Sequence, residues 1–192
     1  MRTTRVIIAA ALAASALLTG AQSASAHDSG AGTFEHEGGA GASEHEGGIS
    51  QVRAATAPFH DISVAIAAGW SIDLHDVNGI DCIDNPAGGM GVHFVNGSLV
   101  GDGAIDVRTP EAVIYQPGAG GSMRLVAVEY VVIAADWNAH HQHAPRLFGQ
   151  TFELVPAGNR YGLPDFYELH AWVWKHNPAG MFADWNPRVT CP

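Results

Sequence analysis

The chain has 192 residues, 47% of them hydrophobic and 15% charged, with 9 Lys and Arg against 19 Asp and Glu for a formal charge of −10. Such an acidic surface repels phosphate backbones and anionic lipid, which excludes nucleic-acid and membrane-surface binding as leading functions. A small molecule, a metal ion or a wall surface is the kind of partner that remains.

Arg2 and Arg5 precede an apolar run from Val6 to Leu18, and small residues ending in Ala24, Ser25 and Ala26 precede His27. That pattern predicts a signal peptide over 1–26, and with it a secreted, extracellular protein that keeps no membrane span after cleavage. Residues 27–54 are rich in Gly, His and Glu and contain EHEGG at 35–39 and again at 44–48. They predict a disordered arm, in which His36 and His45 are either solvated linker residues or metal scavengers.

A single globular β-rich domain is expected over 55–192. Thr56, Pro58 and the apolar series Phe59, Ile62, Ala65, Ile66 and Trp70 predict one capped helix that stops at Gly69. The turn-rich stretch 76–91 reads as an irregular loop carrying Cys82. Short β-branched and aromatic runs then predict strands at 92–96, 111–116, 124–133, 150–155 and 167–175, with PGAGGS at 117–122 as a hairpin turn. The 124–133 run is apolar on both faces, as in a strand packed on two sides. The tail is expected to wrap the outside, tethered through Cys191. The fold class is therefore α+β: one N-terminal helix followed by a curled antiparallel sheet or small β-barrel, with one disulfide. Cys82 and Cys191 pair most simply with each other in an oxidising compartment, the alternatives being free thiols or metal ligation.

Four groups in the most apolar runs carry the functional signal: His93, Glu111, Glu129 and His170. A buried carboxylate or imidazole costs several kcal/mol unless it is hydrogen-bonded, neutralised or metal-bound. Alternation places Glu129 with Leu125, Ala127 and Val131, and His170 with Glu168, Trp172 and Trp174. Two histidines with one or two carboxylates are the ligand set of Fe, Mn, Zn or Cu sites with positions left open. The competing reading is a buried Glu129–His170 hydrogen-bonded pair, with Glu111 capping its strand after Pro110. Tyr115 and Trp172 are candidates for lining an apolar ligand pocket.

His140, His141 and His143 form a polar loop that either chelates a metal or is simply exposed. Asp76, Asn78, Asp81 and Asp84 resemble a calcium loop but fail its spacing. No G-x-S-x-G, H-E-x-x-H or P-loop motif is present.

The segments GMGVHFVN, PEAVIY, VAVEY and ELHAWVWKHNPAGMFADWNP, with the terminal Cys, resemble a family of uncharacterised secreted bacterial proteins. The resemblance covers about residues 55–192 and implies a common domain without implying a reaction. Three functions are consistent with these features. The first is a secreted protein whose buried His/Glu site binds a divalent metal and acts on a small apolar molecule. The others are a non-catalytic carrier of a small ligand and a wall-associated module that binds through the acidic His-rich arm.

Overall fold

The computed structural model of the protein describes residues 39–192, with side chains from residue 46 onward. The expected signal peptide and the arm up to residue 38 lie outside the described residues. The described residues all belong to one compact unit.

The first described element is a helix, α1 (Gly39–Thr56), over residues expected to be an unstructured arm. Its glycines hide a helical spacing in which Ile49, Val52 and Thr56 are buried on one side. Thr56 Oγ1 donates to the Val52 carbonyl at 2.7 Å and accepts from Trp174 Nε1 at 3.1 Å. Pro58 then ends the α-helical ladder, because it has no N–H and its ring would meet the carbonyl four residues back. The chain passes through a 3-10 turn, Ala57–His60, into α2 (Ile62–Ala67). One helix capped at Thr56 was expected here. The observed cap of α2 is Asp61, which accepts from the Ser63 amide at 2.9 Å.

Next come β1 (Ile72–Asp73), β2 (Cys82–Asn85), β3 (Gly88–Val95), the single turn α3 (Gly97–Val100), β4 (Ala112–Pro117) and β5 (Met123–Ile133). They are followed by α4 (Ala134–Asn138), β6 (Arg146–Leu147), β7 (Gln150–Thr151), β8 (Glu153–Val155) and β9 (Phe166–Ala171). The main sheet runs β1-β3-β4-β5-β9-β8, with β2 also paired to β3 and every pairing antiparallel; β6 and β7 form a separate ribbon.

The sheet is open, which corrects the expectation of a small barrel. Its edge strands, β1 with 2 residues and β8 with 3, are too short to supply the tilt and stagger of closure. A second correction concerns the loop around Cys82, which is the hairpin β2–β3. Its glycines concealed the strand pattern and serve close approach. Gly88, at φ 143°, has no room for a Cβ beside the Asn186 carbonyl, and Gly91, at φ 106°, none beside that of Tyr115. Gly89 exchanges backbone hydrogen bonds with Asn186, so the tail lies along β3, and Cys82 is bonded to Cys191. None of the described helices is long and apolar enough to cross a membrane.

One face of the sheet packs on the helices. Val113, Tyr115, Leu125, Val128, Tyr130, Leu169 and Ala171 meet Ile49, Val52, Phe59, Ala65 and Trp70. Burial of these side chains contributes roughly 1.5–3 kcal/mol each before conformational entropy is offset. Simple alternation put Leu125 on the Glu129 face, but Ile114 pairs with Ala127 and Tyr115 with Leu125, leaving Val126 as an extra residue. This bulge turns Leu125 to the helix side. Trp174 departs from alternation for another reason: the strand ends at Ala171, and Trp174 packs on the helix-side core.

Candidate metal centre

The opposite face carries the buried polar groups. On it Glu129 stands between Ala112 of β4 and His170 of β9, while His93 of β3 faces Ile114.

His93 Nε2 lies 3.6 Å from Glu129 Oε2, and His170 Nδ1 lies 3.8 Å from Glu129 Oε1. The two imidazole rings are perpendicular, with centroids 5.8 Å apart. One ligand atom from each of the three residues falls within 4.8 Å of the others, so this buried group could hold a metal ion. Atoms bonded at roughly 2.0–2.2 Å to a tetrahedral ion stand about 3.3–3.6 Å apart, so a set bounded by 4.8 Å must close by up to about 1.5 Å around an ion.

Both nitrogens of His93 and both of His170 are buried without a hydrogen-bond partner. Burial pushes His93 down to about 4 and His170 to about 3, so both rings are neutral at pH 7 with a lone pair to donate. Burial, and then the neighbouring Glu168 carboxyl, hold Glu129 well above the usual carboxylate range. With neutral rings and a Glu129 carboxyl that burial biases toward its neutral form, these contacts are weaker than ion pairs. A nearby dication would reverse that preference and ionise the carboxyl.

Two further carboxyls flank the trio. Glu168, His170 and Asp184 also have ligand atoms within 4.8 Å of one another, and His170 Nδ1 is 3.8 Å from Asp184 Oδ1. Burial raises Glu168 to about 7, while its interaction with the neighbouring Glu129 carboxyl acts in the opposite sense. Asp184 belongs to the tail and is held in place through its neighbours. Ala183 O accepts from Trp172 Nε1 at 2.6 Å, and Trp185 O accepts from Asn177 Nδ2 at 3.1 Å.

An apolar cavity of about 220 Å³ opens beside Glu129, walled by Leu74, Val95, Val131, Leu163 and Phe166. Tyr161 also lines it, on a loop organised by Asn159, whose side-chain oxygen accepts from the amides of Tyr161 and Leu163 at 3.1 and 3.2 Å. Arg160 anchors this loop through Asp76 at 3.1 Å. Asp76 Oδ1 also accepts from the amides of Asn78 and Ile80 at 2.8 and 3.0 Å, so the calcium-like stretch is a turn capped by its own side chain.

Of the residues singled out in the sequence, His93, Glu129 and His170 are brought together and Glu111 is not. Its carboxyl oxygen accepts from the Val131 amide at 2.9 Å, a role inside the sheet. Tyr115 is fully buried in the helix-side core, donating to the Phe59 carbonyl at 2.7 Å, and lies away from the cavity. Trp172 stacks toward His170 at a centroid distance of 6.5 Å and packs with Ile114, Val126 and Val189. His140, His141 and His143 are exposed, and His141 stacks on Trp137 at 3.7 Å. Tyr161 and Asp184 carried no signal in the sequence, because both sit in irregular segments. Glu168 was visible only as a same-face neighbour of His170.

Glu111 supplies a test of pH dependence. Burial raises it from 4.5 to about 8, so between those values the folded chain binds a proton that the unfolded chain has released. Its contribution to stability is complete below the unfolded value, declines as pH rises and is lost above the folded value. Glu111→Gln keeps an acceptor for Val131 and should flatten that decline, adding on the order of 3 kcal/mol at about pH 9 and little at about pH 4. Denaturant midpoints across that range measure the slope, and an unchanged slope would show that Glu111 is not its source.

A scan against models of known protein families, a comparison with curated proteins and a comparison with solved structures each returned no match.

Proposed function

We propose that the protein is an exported metalloprotein in which His93, Glu129 and His170 hold one divalent first-row ion that acts on a small apolar molecule. The observation that carries this reading is the pair of buried, unpartnered imidazole nitrogens, His93 Nε2 and His170 Nδ1, that face the two carboxyl oxygens of Glu129. Orphaned groups of this kind cost about 1–3 kcal/mol each, and a metal ion would supply a partner for one nitrogen of each ring. Two neutral nitrogens and one carboxylate leave coordination positions free for water or substrate.

The bound ion would supply Lewis acidity or, if redox-active, oxygen activation. The chain's own residues do the rest. The apolar cavity admits an uncharged molecule and excludes bulk water beside Glu129. Glu168, near 7, is matched to accept or release a proton at neutral pH. Asp184 orients His170 or joins it as a ligand.

The same cavity also supports the carrier reading, in which the polar groups only orient an apolar ligand. Thermal unfolding separates the two. Metal at about 100 times its Kd should add about 2.7 kcal/mol, reversibly with chelator. Stabilisation by indole but by none of Mn, Fe, Zn or Cu would favour the carrier and refute the metalloprotein.

A further inference from the structure

Seven of the nine Lys and Arg residues lie among the described residues, and four of them, Arg53, Arg124, Lys175 and Arg188, form one cluster. Lys175 stands between two depressions. One of about 480 Å³ is lined by Arg53, Trp174 and His176 as well as Lys175, and one of about 320 Å³ by Gln116, Ser122 and Arg124 as well as Lys175. Arg188 reaches the cluster at His176, with its Nη1 3.4 Å from the ring Nδ1.

Among the described residues, none of these four cations has a carboxylate within 4.0 Å, although acids outnumber bases 19 to 9 in the chain. Their hydrogen bonds go to neutral acceptors instead. Lys175 Nζ donates to Gln116 Oε1 at 2.9 Å, and Arg53 Nε donates to the Val173 carbonyl at 2.8 Å. Those bonds leave two protons of the ammonium and the outer N–H groups of the guanidinium free to donate. The like charges also work against one another. After burial, Arg124 and Arg188 are what lower the Lys175 ammonium below its usual range. Among the described residues no carboxylate lies within 4.0 Å to relieve that repulsion, whereas a bound anion would.

We propose that this cleft is a second binding site, separate from the His/Glu centre, for a small multivalent oxyanion bearing phosphate or carboxylate groups. Arginine forks and a lysine point charge together suit such groups, and the larger depression has the volume of a small-molecule site. Trp174 offers an aromatic wall for the ligand body. Long polyanions are disfavoured, because the rest of the surface carries the opposite sign.

Calorimetric titration of the full chain with inorganic tripolyphosphate and with citrate tests the site. Saturable binding that weakens from about 0.05 to about 0.5 M salt is expected. Arg124→Gln, at an exposed position that leaves the fold intact, should weaken it about tenfold, and Lys175→Gln by a similar factor or more. Binding of both anions would indicate recognition of charge alone, and binding of tripolyphosphate alone a phosphate ligand. The proposal is overturned if neither anion binds, or if both variants bind as the parent does while their unfolding midpoints show them folded.

Discussion

Glu129→Gln and His170→Leu should leave the metal-free protein as stable as the parent or raise its stability by about 1–3 kcal/mol, while abolishing any stabilisation by metal. In the absence of an ion, the parent carries four unpartnered ring nitrogens and a Glu129 carboxyl pressed against Glu168. Removing either member lowers that cost, and replacing buried polar groups by apolar ones of similar volume is often neutral or favourable. A residue kept for packing behaves oppositely, because truncation leaves a cavity and costs about 2–5 kcal/mol. Denaturant unfolding in chelator, repeated with added metal, gives both numbers. Destabilisation in chelator together with intact metal stabilisation would assign Glu129 and His170 to the core.

Loss of the Cys82–Cys191 bond should be the largest single blow to stability. The bond spans 109 residues and fastens the tail that carries Asp184. Cross-linking a loop of that size stabilises by about 4–5 kcal/mol on the chain-entropy model. A Cys82→Ala/Cys191→Ala variant should lose most of that in denaturant midpoint. The tail's backbone bonds to Gly89 and the Trp172–Ala183 contact persist, so metal affinity should fall less than stability does. An unchanged midpoint would mean that those hydrogen bonds alone hold the tail.

The trio was legible because each member interrupts an otherwise apolar run, and strand alternation alone put Glu129 and His170 on inward faces. The disulfide followed from there being two cysteines. What was not legible is non-local. Whether a sheet closes depends on how its edge strands pair, and β1 and β8 are mere stubs. The bulge at Val126 shifts one residue of register and reverses Leu125, which no local pattern announces. The helix over Gly39–Thr56 was obscured because its glycines argue against helix. Three buried positions spaced along one side, Ile49, Val52 and Thr56, outweigh them. Glu111 shows the converse: its sequence context matches that of Glu129, yet its carboxyl is satisfied by the Val131 amide.

Elemental analysis of the full chain, exported and purified without a polyhistidine tag or chelator, bears most directly on the His93–Glu129–His170 centre. The expected result is close to one divalent first-row ion per chain, falling to about a tenth or less in Glu129→Gln. A parent chain free of metal after incubation with Mn, Fe, Zn and Cu, or a variant that retains as much metal as the parent, would contradict it.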